Sequence, residues 1–124
     1  PPAAGRAVLL VDDNVDGAES LALLLRLAGH EVAVAHDGPS ALAVAARVRP
    51  AVAVLDIGLP GMDGYALARA LRTRPETRDA VLVAGTGYGR DEDRALAREA
   101  GFDHHFVKPV HYEALLQIIS AARG

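Results

Sequence analysis

Ala51-Val52-Ala53-Val54-Leu55-Asp56 is an unbroken apolar run closed by a carboxylate. A run this short, apolar at successive positions, reads as a strand buried on both faces, the condition of a parallel sheet. An unpaired charge within such a strand is costly, so Asp56 belongs at its end. Three further runs end in the same manner. Val8-Leu9-Leu10-Val11 ends in Asp12-Asp13, Val81-Leu82-Val83-Ala84 leads past Gly85 to Thr86, and Phe106-Val107 ends in Lys108-Pro109. In an open parallel sheet, ligand-binding groups gather outside the carboxyl ends of the strands. Three carboxylates, a hydroxyl and an ammonium, far apart in sequence, should therefore meet at one edge of one sheet. Such a set suits a divalent cation and a phosphoryl group.

The stretches between these runs carry helical patterns, so strand and helix alternate along the chain. Strands are expected at residues 7–11, 31–35, 51–55, 80–84 and 103–107, and helices at 15–28, 37–48, 65–72, 91–100 and 112–122. Ala18, Leu21, Ala22 and Leu25 make the apolar stripe of the first helix, and Gly29 follows its end. Asp37-Gly38-Pro39 opens the second, with proline suited to the first turn. Gly58-Leu59-Pro60-Gly61-Met62-Asp63-Gly64 is the longest turn signal, and Asp63 is placed to cap the third. Leu115, Ile118, Ile119 and Ala122 give the last helix an apolar face. Alternation at this spacing implies an α/β fold: a doubly wound parallel sheet with helices on both faces.

At 124 residues the chain fits one domain: residues 1–5 read as the remnant of a linker, and 6–124 as the folded unit. Aromatics are only 4%, which favours helix-on-sheet packing over an aromatic-lined pocket. A net charge of −3 argues against a nucleic-acid-binding surface. The absence of cysteine excludes disulfides, thiolate catalysis and cysteine metal sites, and fits a cytoplasmic location. Neither a membrane-spanning run nor a signal peptide is visible, so no membrane contact is expected of this segment.

Asp12-Asp13 places two anions together, and a hard cation with oxygen ligands relieves their repulsion. Magnesium takes one or two carboxylates, water and phosphate oxygen. A bland alternative is that Asp13-Asn14 merely caps the first helix. Asp56 can act as a nucleophile and form an aspartyl phosphate, a step that needs positive charge beside the incoming phosphoryl oxygens. The Gly58 carbonyl offers a further oxygen ligand. Lys108 can pair with Asp56 before reaction and with the phosphoryl group after it. The Lys108-Pro109 bond is a candidate for the cis form. Thr86 can donate its hydroxyl to the same phosphoryl group. Singly, each of these residues has an ordinary structural role; together, at four strand ends, they make one site.

Val11-Asp12-Asp13-Asn14, Leu55-Asp56 with the loop through Gly64, Gly85-Thr86-Gly87-Tyr88 and Val107-Lys108-Pro109 together resemble the receiver domain of two-component response regulators. The resemblance runs in order and spacing from about residue 6 to 122. It implies a flavodoxin-like (βα)5 sheet in the order 2-1-3-4-5. It also implies Mg²⁺-dependent phosphoryl transfer from a histidine kinase or histidine phosphotransfer protein to Asp56. Asp13 and Asp56 would contact the ion directly, Asp12 mainly through water, and Gly58 through its carbonyl. Thr86 would be the switch hydroxyl and Lys108 the family lysine. Phosphorylation would shift the surface of helix four, strand five and helix five, a surface also suited to homodimers. The implied activity is that of a phosphoacceptor which assists its own phosphorylation and hydrolysis, not of a dedicated enzyme. The runner-up, a magnesium-dependent phosphatase or phosphotransferase, would need a substrate cap that the chain leaves no room for.

Two positions depart from the family pattern. His105 stands where an aromatic switch residue is usual, and Gly85 where a bulkier apolar residue is common. Adjacent strand residues face opposite ways, so His104-His105 is poorly built to chelate one metal. His30, His36 and His111 fall at loop or helix edges and are expected to be solvated. Gly85-Thr86-Gly87-Tyr88-Gly89 mimics a dinucleotide fingerprint, yet Arg90 stands where that motif requires glycine. It is expected to be a loop that closes over the phosphoryl group. The Pro-Ala-rich start and the phrasing of Asp13-Asn14-Val15-Asp16 and Gly101-Phe102-Asp103-His104-His105 favour the receiver segment of a hybrid histidine kinase, itself membrane-anchored or not.

Overall fold

The computed structural model describes residues 5–87 and 91–122. The expected linker remnant therefore lies outside the described residues save for Gly5, as do the tip of the glycine-rich loop at Tyr88-Gly89-Arg90 and the end at Arg123-Gly124. The chain alternates β1 (Ala7–Val11), α1 (Val15–Leu27), β2 (Glu31–Ala35), α2 (Gly38–Val48), β3 (Val52–Asp56), α3 (Gly64–Arg72), β4 (Val81–Thr86), α4 (Asp91–Ala100), β5 (His104–Val107) and α5 (Tyr112–Ala121). All five strands are parallel, in the order β2-β1-β3-β4-β5. This is the expected doubly wound sheet.

Strand alternation splits the core into two layers. Leu9, Val11, Ala53, Leu55, Leu82 and Ala84 pack under α2, α3 and α4. Val8, Leu10, Val52, Val54 and Val83 pack under α1 and α5. Alanines at 22, 41, 45, 68, 97 and 100, all buried, let the helices lie close on the sheet. Of the stripe expected for α1, Ala18, Ala22 and Leu25 are buried, with Leu21 partly so.

The bounds of β3, β4 and β5 differ from the sequence expectation, with β3 and β4 also starting one residue later. β3 includes Asp56, β4 extends through Thr86, and β5 starts at His104. The neighbouring strand decides these ends. Asp56 finds a partner in Gly85, and Thr86 finds one in Val107, so each strand continues while a rung is available. The helix starts follow local chemistry. Asn14, Asp37 and Asp63 each accept a backbone N–H of the first turn, and Pro39 sits in the first turn of α2.

β1 pairs with β2 on one side and β3 on the other. The chain leaves β1 in one direction, returns to β3, and then builds outward in the other. This reversal of strand order opens a crevice at the carboxyl ends of β1 and β3. Asp12-Asp13 and Asp56 stand at that crevice.

Candidate functional site

Asp12, Asp13 and Asp56 each bring one carboxylate oxygen to within 4.8 Å of the other two. The register Val11↔Leu55 aligns the ends of β1 and β3, so Asp12-Asp13 emerges beside Asp56. Asp56 is 9% exposed and Asp13 lies at the surface. The cluster therefore has a dry side and an open side.

Lys108 closes the dry side. Its Nζ lies 3.1 Å from Asp12 Oδ2 and 3.1 Å from Asp56 Oδ2. The Lys108-Pro109 peptide is cis. Lys108 N–H also donates to the Thr86 carbonyl at 2.7 Å, which ties the strand-five end to strand four. The lysine stem passes over Gly85, whose absent Cβ would sit 3.6 Å from Lys108 Cε. That is ordinary contact distance, so glycine here is not demanded by crowding.

The remaining ties set the carboxylates. Gly58 N–H donates to Asp56 Oδ1 at 3.0 Å, and Asn14 N–H donates to Asp12 Oδ1 at 2.9 Å. Gly64 has no room for a side chain: a Cβ would lie 2.6 Å from the Asp56 carbonyl oxygen. The loop after β3 thus folds back on the backbone of Asp56. Asp63 caps α3 through Ala66 N–H and lies outside the acidic cluster, as expected.

One cation serves two carboxylates, and the titration of each group reflects it. Burial raises the Asp56 carboxyl above its ordinary value, and the Asp12 charge adds to that; the bond from Gly58 and the Lys108 ammonium only partly offset it. Burial also works against the Lys108 charge, but hydrogen bonds to Asp12 and Asp56 overcome it and hold the ammonium above its ordinary value. A buried carboxylate beside two others and a single ammonium is a site short of positive charge. Three carboxylate oxygens with an open side fit a hard divalent cation such as Mg²⁺, which completes its shell with water.

Thr86 ends β4 one residue beyond the partner of Asp56 and is 5% exposed. His105 pairs with Ala84 and lies on the α4 side of the sheet, beside a cavity of about 270 Å³ lined by Arg94, Ala97 and Arg98. Asp12, Asp13 and Asp56 do not line this cavity. The His105 Nε2 and Asp93 Oδ2 atoms are both buried without a hydrogen-bond partner among the described residues. His104 pairs with Val83, is exposed and also borders this cavity, but neither histidine belongs to a cluster of metal-ligating side chains among the described residues.

Of the histidines expected to be solvated, His111 is exposed and His30 and His36 are partly buried, and each also makes a hydrogen bond. His30 Nδ1 accepts Arg6 N–H at 3.1 Å, and His111 caps α5 through Ala114 N–H at 3.1 Å. His36 Nδ1 lies 2.8 Å from the Asp12 carbonyl oxygen. The signal for His36 was available in its position. It directly follows strand two, next to the end of strand one, but only the strand order makes those ends neighbours.

The family model for the response regulator receiver domain matches residues 8–120. The transcriptional regulatory protein PrrA of Mycobacterium tuberculosis is 40% identical over 92% of this chain, and the chain spans 48% of PrrA. The chemotaxis protein CheY4 of Vibrio cholerae superposes with a TM-score of 0.89 at 29% identity, over 97% of this chain and all of that one. The receiver domain of the sensor histidine kinase PA1611 from Pseudomonas aeruginosa, solved with magnesium coordinated in its active-site cleft, gives 0.83 at 31% identity, over 94% and 96% of the two chains. Fold, matched span and relatives agree, and the chain belongs to the receiver domains of two-component response regulators.

Proposed function

We propose that Asp56 is the phosphoacceptor of a Mg²⁺-dependent signalling switch, with a phosphohistidine of a histidine kinase or phosphotransfer protein as donor. The observation that carries this reading is the Lys108 ammonium bridging Asp12 and Asp56 at 3.1 Å each, inside a cluster of three carboxylates. An oxygen of Asp56 attacks phosphorus, and the P–N bond to the donor imidazole breaks. The imidazole leaves with the bonding pair and takes up a proton, and an acyl phosphate remains on Asp56. Asp12, Asp13, Asp56 and the Gly58 carbonyl would hold the ion, which when bound supplies positive charge to the phosphoryl oxygens. Lys108 turns from the Asp56 carboxylate to a phosphoryl oxygen, and Thr86 donates its hydroxyl to another.

Withdrawal of Thr86 and Lys108 toward the phosphoryl group changes what β4 and β5 offer their neighbours. His105 and the surface of α4, β5 and α5 are then the readout, by partner docking or by homodimerisation. Hydrolysis of the acyl phosphate resets the switch. The kinship with the PA1611 receiver supports a place within a histidine kinase of the hybrid kind. No helix among the described residues is long and apolar enough to cross a membrane.

Intact-mass measurement after acetyl phosphate and Mg²⁺ tests the assignment. One phosphoryl adduct is expected on the native chain and none on Asp56→Asn. An adduct that survives in Asp56→Asn overturns it.

A further inference from the structure

Asp12 and Asp56 are each held by their side chains, but the constraint identified on Asp13 comes through its backbone. Asp12 N–H donates to the Ala35 carbonyl at 3.1 Å, which is the last main-chain rung between β1 and β2. Beyond it the chain turns away at Asp37 to start α2. The half-buried His36 ring then turns toward β1, and its Nδ1 meets the Asp12 carbonyl oxygen at 2.8 Å. A carbonyl only accepts, so Nδ1 carries the proton. The Asp12 carbonyl and the Asp13 N–H belong to one planar peptide unit. Fixing that oxygen fixes the plane from which Asp13 departs.

We infer that His36 is a positioning residue for the acidic cluster, orienting the Asp12–Asp13 peptide so that the Asp13 carboxylate is aimed at the cation before it binds. This rests on the reading of Asp12, Asp13 and Asp56 as the Mg²⁺ site. It assigns a role to a side chain outside that site, on the outermost strand pair. The physical reason is preorganisation. Three like charges within 4.8 Å repel, and an untethered strand end would let the Asp13 carboxylate swing away from Asp12 and Asp56.

The geometry also names the conservative replacement. The amide nitrogen of asparagine hangs on the γ-carbon, as Nδ1 does in histidine, so His36→Asn can remake the bond to the Asp12 carbonyl. His36→Leu keeps bulk but has no donor, and His36→Ala has neither. Calorimetric titration with MgCl₂ on the unphosphorylated protein reads the effect directly. Losing a partner of a metal ligand typically costs about 10–100-fold in affinity. A tether that acts through one peptide unit should cost less: about 3–10-fold for His36→Leu and His36→Ala, within about 2-fold for His36→Asn. The Asp13 amide resonance should move in the Leu and Ala variants and return in Asn. At saturating Mg²⁺ the phosphorylation rate with acetyl phosphate should be near that of the native chain in all three.

Native-like Mg²⁺ affinity in His36→Leu and His36→Ala overturns the inference while leaving the metal site intact. Equal weakening in His36→Asn, with a lowered melting temperature in all three, also overturns it, because the ring would then serve packing alone. Failure of the underlying reading looks different: the native chain itself would show no Mg²⁺ affinity that depends on Asp13, and the inference falls with it.

Discussion

At the scale of single residues, placement separates carboxylates that composition treats alike. Asp13 and Asp63 both follow turn-forming or strand-ending sequence, and both are exposed. Asp13 contributes an oxygen to the cluster around Asp56, whereas the Asp63 side chain is spent on Ala66 N–H. Asp13→Ala should therefore weaken Mg²⁺ binding by at least about 10-fold and slow phosphorylation at limiting Mg²⁺. Asp63→Ala should leave Mg²⁺ affinity unchanged and cost only about 1 kcal/mol of stability through the lost cap. Calorimetry and thermal melting of the two variants check both halves, and a larger Mg²⁺ effect from Asp63 would move the site.

At the scale of elements, two arrangements around α4 govern stability. The first is the guanidinium of Arg72 at the end of α3. It donates to the carbonyls of Gly101, Arg78 and Ala80 and pairs with Asp103 Oδ2 at 2.8 Å, and that carboxylate also accepts Leu82 N–H. Gly101 makes this approach feasible: its φ of 106° suits glycine, and a Cβ would lie 2.8 Å from Arg72 Cγ. One side chain thus joins α3, the start of β4, the end of α4 and the turn into β5. Arg72→Ala should cost about 2–4 kcal/mol, read from the urea midpoint, because several carbonyls lose a charged donor at once. Arg72→Lys should recover little, since an ammonium cannot span the fork.

The second arrangement is His105 under α4. Burial lowers its pKa below the ordinary value and the Arg94 charge adds to this, while Asp93 pulls weakly the other way. The folded ring is thus neutral where the unfolded ring begins to take a proton. Its contribution to stability is full above the unfolded value, about 6.5, and is lost as pH falls through it toward the folded value. His105→Phe removes both the titration and the unpartnered Nε2. The melting temperature of the variant minus that of the native chain should rise as pH falls from about 7 to 5. Asp56, whose raised pKa acts in the opposite sense, is common to both proteins and cancels in the difference. A difference that is flat with pH would show that His105 titrates equally in both states.

At the scale of the whole molecule, ion binding and folding are one equilibrium. The acidic cluster exists only when β1 and β3 are side by side, so Mg²⁺ should bind the folded chain and hardly the unfolded one. At about tenfold above its dissociation constant, the ion should add about 1.4 kcal/mol, or about 3–6 °C in melting temperature for a domain of this size. Asp13→Ala should abolish most of that shift, and a shift that persists would place the ion elsewhere. The sequence by itself determined the alternation of elements, because strand and helix periods are local and every residue carries them. It also determined which groups end the strands: Asp12, Asp13, Asp56, Thr86 and Lys108 each follow an apolar run, where a buried charge would be prohibitive. Glycine, proline and aspartate marked the helix boundaries for the same local reason. Only the tertiary structure decided how far the strands run, since Asp56 and Thr86 join the sheet by pairing with Gly85 and Val107 on neighbouring strands. It alone gave Lys108 two carboxylates to bridge, Arg72 the carbonyls of Arg78, Ala80 and Gly101, and His36 the backbone of Asp12. These contacts join residues up to 96 positions apart. No local pattern encodes such a distance; the order of the strands does.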